Sequence, residues 1–477
     1  MMLRLAWGAL MLVLPAFALA HGFDERYDLP APLRYFVFGA AATVGLSFVV
    51  IALFARGAGG AGAPATAQRG LVLGALATPL WWLVRLAALA LFVLAVISAL
   101  FGTGDPLVNL APTLVWIIAW LGLSLLAGFV VNVWPALDPW RTLYELLDAL
   151  ARRLGVKGGL YLGWSWPRAL GVWPAVFLLL LWGWLEMVFP IAAVPWQLGV
   201  MLCIWTVINL TGMVCFGREV WQRHADLFSV YYATLSRFAP MAWDAAAKKV
   251  LLRWPGAGLL HEHERGAPVT AGAVGFVMAM LSTVLFDGMH GGYAWFFLDS
   301  LLHYYFPQWM DVNGYVPGTI GLVGVWLLFL LAYGASCFTT AKITRQGTTA
   351  DTARRFVLTL IPIAAAYTLA HNFSSLLIQG QNVIAMLSDP LGRKWNLFGT
   401  AGHYANIGLI DARTTWYVAI GAIVAGHVLS VWLAHRIALR DYTTQRQAVL
   451  ATLPLTLLMV FYTAISLSVI AEPMVNF

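Results

Sequence analysis

Charge is scarce in this chain. Charged residues make up 10% of its 477 positions, hydrophobic residues make up 61%, and the mean hydropathy is +0.79. Soluble domains carry about 25% charged residues, so the composition excludes an ordinary water-soluble fold and points to a polytopic membrane protein. Cysteine is nearly missing. Cys203, Cys215 and Cys337 sit in apolar stretches without metal-like spacing, which excludes a disulfide framework and a cysteine zinc cluster. The sequence also has no Gly-x-Ser-x-Gly elbow, no phosphate-binding Gly-Lys-Ser/Thr loop, no dinucleotide fingerprint and no His-Glu-x-x-His. Serine hydrolysis, nucleotide use and hydride transfer therefore lack a signature. The net charge of +7 does not indicate nucleic acid, because the basic residues are sorted by membrane side.

What is present is apolar length. Arg4, the run Leu5 to Phe17 and Ala18-Leu19-Ala20 have the layout of a signal peptide cut after Ala20, which would make His21 the first mature residue. Ten spans follow, near 35–55, 79–101, 111–133, 170–189, 194–216, 269–287, 316–339, 356–387, 416–435 and 448–470. With the mature start outside, twenty-one Lys and Arg fall on inner segments and five (Arg26, Arg34, Arg393, Lys394 and Arg413) on outer ones. That is a positive-inside pattern, and an odd number of spans would scramble it. The expectation is an all-α polytopic transmembrane helix bundle, 21–477, in a bacterial inner membrane with both mature ends outside. Two inner segments, 138–167 and 217–268, are read as amphipathic and basic, suited to membrane lipids. Leu143, Leu146, Leu147, Leu150 and Leu154 form the apolar stripe of the first. Arg85, near the inner end of its span, is expected to snorkel to the interface. The twenty-three Trp and sixteen Tyr suit interfacial aromatic belts.

One span is polar along a stripe. His371, Ser375, Gln379 and Asn382 recur at helical spacing between Phe356 and Leu387. Groups of this kind do not face lipid; they face protein or a wet cavity, and an intramembrane imidazole is a functional candidate. His290, His303 and His403 fall on the outer side, in company with Asp287, Asp299, Asp311 and Glu186. Imidazole with carboxylate is a ligand set for copper or zinc. His21 adds a chelating amine and ring nitrogen. The candidate metal ligands are His21 and His371, with His290, His303 or His403 completing the site; Asp287 and Gln379 are the candidate catalytic residues.

Several blocks resemble a family of bacterial integral-membrane proteins, the fenitrothion hydrolases. They are His21-Gly-Phe-Asp-Glu-Arg-Tyr-Asp-Leu-Pro30, Leu285-Phe-Asp287-Gly288, Ala370-His371-Asn-Phe-Ser-Ser-Leu-Leu-Ile-Gln379-Gly-Gln381, Ser388-Asp389-Pro390 through Leu397-Phe-Gly-Thr-Ala401, and Gly426-His427 with Ala434-His435. The resemblance covers most of the mature chain and implies hydrolysis of a lipophilic phosphotriester. The chain departs from it at Asp24, where relatives have Gly, and at Thr368, where they often have His. Two functions follow from these residues. One is a metal-dependent hydrolase with an outward-facing site in the membrane; the other is a protein that binds, delivers or transports copper or another transition metal.

Overall fold

Apolar runs with a polar residue just ahead of them become helices whose starts are capped. In the computed structural model, which describes residues 32–54, 69–72, 77–189, 194–244, 249–264, 269–311 and 313–471, Thr270, Asp411 and Thr444 each accept a backbone N–H three residues on. Each cap satisfies a donor that the first turn of a helix leaves open. The result is an all-α helix bundle of the polytopic membrane type. Its long helices are α1 (Leu33–Phe54), α2 (Ala77–Phe101), α3 (Leu110–Phe129), α6 (Pro195–Phe216), α9 (Ala271–His290), α11 (Tyr315–Thr344), α12 (Thr349–Gln379), α13 (Ala412–Asp441) and α14 (Gln445–Ile470). These nine, among the described residues, are long and apolar enough to cross a membrane. A tenth apolar helix, α5 (Trp173–Met187), has 15 residues. At ~1.5 Å per residue it falls short of the ~30 Å hydrocarbon core. The expected signal peptide 1–20, His21, Asp24, Glu25 and Asp28 lie outside the described residues.

Shorter elements join the spans. On one side lie α4 (Pro139–Arg153), α7 (Arg218–His224) and α8 (Leu227–Ser236). With them is an antiparallel sheet in the order β1 (Arg69–Val72), β3 (Lys249–Leu252), β2 (Met241–Asp244). The sheet pairs two connecting segments that the charge count places on the same side. On the other side α10 (Tyr293–Tyr305) follows α9. There Ser98 Oγ donates to the carbonyl of Pro390 and the Thr103 N–H to that of Leu391, at 2.5 and 3.1 Å, tying two more connections together.

The segment 217–268 is not one amphipathic stretch. Helix α8 is buried through Leu227, Phe228, Tyr231, Tyr232 and Leu235, because an aromatic pocket receives it. Phe228 is surrounded by Trp120, Trp134, Trp140, Trp182 and Trp205 at ring-centroid distances of 6.0, 5.4, 5.5, 5.0 and 5.9 Å. These tryptophans pack the core instead of forming belts. Helix α4 keeps its leucine stripe outward: Leu146, Leu147, Leu150 and Leu154 are exposed, as on a helix lying against lipid. Its other face buries Trp140, Thr142 and Tyr144.

Two glycines set helix crossings. A Cβ at Gly426 of α13 would meet Ala366 Cβ at 2.5 Å and the Pro362 carbonyl oxygen at 2.8 Å on α12. A Cβ at Gly288 of α9 would lie 3.0 Å from Tyr367 Oη. Small residues let membrane helices approach closely, and here they bring α12 against both neighbours.

Two buried carboxyls lie at the starts of α4 and α8. Asp138 and Asp226 are each at most 1% exposed and cap these helices through the Arg141 and Ser229 N–H groups. Gln222 Nε2 donates to Asp138 at 2.5 Å. Burial, with the charge of Asp138 next, pushes Asp226 up to about 7. Burial likewise raises Asp138 to about 6 against the hydrogen bonds it accepts. In a raised carboxyl the folded state binds more protons than the unfolded chain, whose Asp titrates near 3.9. Its contribution to stability is complete below that pH and is lost as pH rises through about 6 to 7. Thermal unfolding of the purified protein should therefore move to lower temperature between about pH 5 and pH 8. Asp226→Asn should flatten the slope; an unchanged slope would show that the pair is not its source.

Candidate active site

The polar groups converge near the ends of α5, α9 and α12 that lie away from the sheet. Asp287, in the last turn of α9, meets His371 of α12, with His371 Nε2 and Asp287 Oδ2 2.9 Å apart. Gly288 lets α9 pack closely beside the pair, since a Cβ there would lie 3.0 Å from Tyr367 Oη and from Val469 Cγ1. The imidazole is 15% exposed and the carboxylate 37%, so the pair is held by protein on one side and open on the other.

Behind the pair is a cavity of about 30 Å³ lined by Trp120, Ser124, Glu186, Tyr231, Asp287, Thr368 and Asn372 among others. That volume has room for a water, which needs two to four polar partners. Glu186 of α5 accepts a hydrogen bond from Trp120 Nε1 at 3.1 Å. Trp120 belongs to the stretch Thr113–Gly122 of α3, which is wound as a π-helix, a feature frequent at functional sites. Tyr231 of α8 packs on the Trp120 ring at 4.8 Å and lines the cavity together with Thr368 and Ser124. Two carboxyl side chains, one amide and four hydroxyls thus line one small space with no lysine or arginine, and His371, outside the lining, adjoins it through Asp287. Such a set can hold a water, orient it and exchange protons with it.

The other expected site residues do not join. Gln379 is exposed at the last residue of α12. The stripe expected from spacing breaks there, because the helix ends and the chain turns at Gly380 before the next helix, Asn382–Ser388. Its neighbour Gln381 ties that turn to Asn406, accepting from Asn406 N at 3.0 Å. His290 packs its ring on Phe286 and Trp295 at 5.2 and 5.1 Å. His303 pairs with Asp299 on α10 at 3.5 Å and is 44% exposed. His403 stands exposed on the loop after Thr400. Asp311 caps α11, accepting from Tyr315 N and Val316 N at 2.9 and 2.7 Å. Burial opposes ionisation of Asp311, but these two N–H groups hold its carboxyl below the usual range. His427 is buried with Nδ1 2.8 Å from the Ile423 carbonyl and reaches the site through the rings of Tyr462 and Tyr367.

A copper or zinc site needs three or four converging donors. Among the described residues no three His, Cys, Asp or Glu side chains converge, and His371 is engaged with Asp287 through Nε2. Among the described residues the expected ligands therefore do not fit together around a metal, and His21 lies outside them.

Glu186 carried a legible signal, as the single acid within an apolar span. Trp120 and Tyr231 carried none, since an aromatic in an apolar run reads as core. No family model, curated protein or solved structure matches the chain.

Proposed function

We propose that the protein is a membrane-embedded hydrolase of lipophilic phosphotriesters, with Asp287, His371 and Glu186 as its working groups. The observation that carries this reading is the 2.9 Å pairing of Asp287 with His371 beside a small polar cavity. Donation of the Nε2–H to Asp287 fixes the imidazole tautomer and leaves Nδ1 with a free lone pair. That nitrogen takes a proton from water as the water oxygen bonds to phosphorus; the bond from phosphorus to the leaving oxygen breaks, and the proton passes to that oxygen. General-base assistance of this kind contributes about 10²–10⁴-fold. The resemblance to fenitrothion hydrolases supplies the substrate class, and the apolar surroundings suit an uncharged ester.

The same reading places the chain in a bacterial inner membrane, with a cleaved signal peptide and the Asp287 site on the outer side. Support comes from the sorting of Lys and Arg and from the sheet that joins two inner segments. The test is release of nitrophenol from a nitrophenyl phosphotriester by purified protein in lipid nanodiscs, together with its metal content. Turnover above that of empty nanodiscs is expected. No turnover, with stoichiometric copper or zinc retained through purification, would overturn the hydrolase reading in favour of metal handling.

A further inference from the structure

On the arginine-rich side, at the foot of α2, three guanidinium groups converge on one carboxylate. Glu145 of α4 receives Arg85 Nη1 on Oε2 at 2.5 Å and Arg141 Nε on Oε1 at 3.2 Å, and Arg218 Nη1 also binds Oε1. Arg85 does not snorkel: it is 3% exposed, donates through Nε to Thr142 Oγ1 at 3.1 Å and lies over the Trp82 ring at 4.5 Å. Helix α4 folding back beneath α2 supplies the carboxylate that holds it. Burial opposes ionisation of Glu145, yet the surrounding guanidiniums keep its carboxyl below the usual range.

The other nearby acids leave the cluster short of negative charge. Glu219 binds Arg218 Nη2 at 3.2 Å but is 76% exposed, so its pairing is solvent-screened. Asp138 caps α4, and its two carboxyl oxygens are taken by the Arg141 N–H and by Gln222 Nε2, not by a guanidinium. Two guanidinium nitrogens, Arg85 Nη2 and Arg218 Nε, are buried without a hydrogen-bond partner among the described residues. An unmet charged donor is costly, and an acceptor at that place removes the cost.

A second observation lies beside this one. A cavity of about 360 Å³ runs along α2, lined by Val84 and Trp140, the chain neighbours of Arg85 and Arg141, and by Ala88, Leu91, Pro139 and Trp182 among others, with an almost wholly apolar wall. Val84, Ala88, Leu91 and Ala95 recur at helical spacing, so one face of α2 is given to it. It is partly open, and Leu91 is both in its lining and 40% exposed. The mouth of a cavity at a membrane-spanning helix meets hydrocarbon, and an apolar cavity does not take up water.

We propose that this corner binds one anionic phospholipid, with its phosphate on the partly exposed guanidiniums of Arg141 and Arg218, the buried charge of Arg85 behind them, and one acyl chain in the cavity. Charge selects the headgroup, and basic pockets between helices on this side of a membrane are suited to anionic lipids. The cavity selects a chain over a soluble anion. The site is separate from the proposed hydrolytic one: Trp182 walls the cavity, while Glu186, one turn further along α5, faces the other.

The experiment uses the full chain in nanodiscs, with tryptophan quenching by lipids brominated in mid-chain. Brominated phosphatidylglycerol should quench at a mole fraction at least about tenfold lower than brominated phosphatidylcholine, and salt should narrow the gap. Arg218→Gln should reduce the preference, and Ala88→Phe, which fills the cavity and leaves the charges, should remove the tight phase for both lipids. Equal quenching by the two lipids in the unmodified protein would overturn the proposal, and this needs no variant to fold. So would thermal stabilisation by inorganic phosphate as large as that by phosphatidylglycerol, which would mean a free-anion site. Unchanged lipid preference in a folded Arg218→Gln protein would do the same.

Discussion

Asp287→Asn should lower turnover of a phosphotriester by about 10²–10⁴-fold while the protein still inserts and unfolds at nearly the same temperature. The expectation follows from what the carboxylate does. An amide at position 287 keeps the size of the side chain and can still hydrogen-bond to His371, whose ring lies 2.9 Å away. It cannot hold the ring in the tautomer that leaves Nδ1 free, nor stabilise the charge formed when Nδ1 takes a proton. His371→Ala should cost at least as much, since it removes the base itself. If the pair only glued α9 to α12, the loss would instead be a stability change of roughly 0.6–1.7 kcal/mol, the worth of an interhelical hydrogen bond in a membrane. The two readouts separate the cases. A lowered unfolding temperature with full turnover would make the dyad structural and would remove the support for the hydrolytic site.

Gly426→Val should be the most damaging single change away from that site. Its Cβ would meet Ala366 Cβ at 2.5 Å and the Pro362 carbonyl oxygen at 2.8 Å. One of these is backbone and the other a methyl fixed on backbone, so neither can rotate away. Helix α13 must then move off α12, and overpacking of this kind costs about 1–3 kcal/mol or more. The purified variant should unfold at lower temperature or fail to accumulate in the membrane. Gly421→Ala, one and a half turns earlier on α13, is the control, because nothing lies within 4 Å of a Cβ there. Similar losses for both variants would mean that the helix tolerates no change, and that the crossing at Gly426 is not what matters.

The sequence by itself determined the architecture. Apolar length and period placed a helix at each of the ten expected spans, because a span that cannot hydrogen-bond to lipid must be helical whatever it packs against. The bounds differ most at 356–387, where the helix is Thr349–Gln379, and at 170–189 the helix Trp173–Met187 is too short to count with the nine that can cross. The sequence also marked Asp287 and His371 as groups in need of a protein partner, since an acid or an imidazole in such a helix does not face lipid. Tertiary structure alone decided which partner. The spacing of His371, Ser375, Gln379 and Asn382 put four polar residues on one stripe, but α12 ends at Gln379 and leaves that residue exposed. The cavity instead uses Thr368 and Asn372 from the same helix, Glu186 from α5 and Tyr231 from α8. Helix α8 lies in the segment 217–268, whose basic composition predicts a place at the lipid surface. Its five buried aromatic and aliphatic side chains fit among tryptophans from α3 to α6, and no local pattern records a pocket built from distant parts of the chain. Likewise, Arg85 near the end of a span predicts snorkelling on local grounds; the carboxylate that buries it is sixty residues away, on a helix that only the fold brings back.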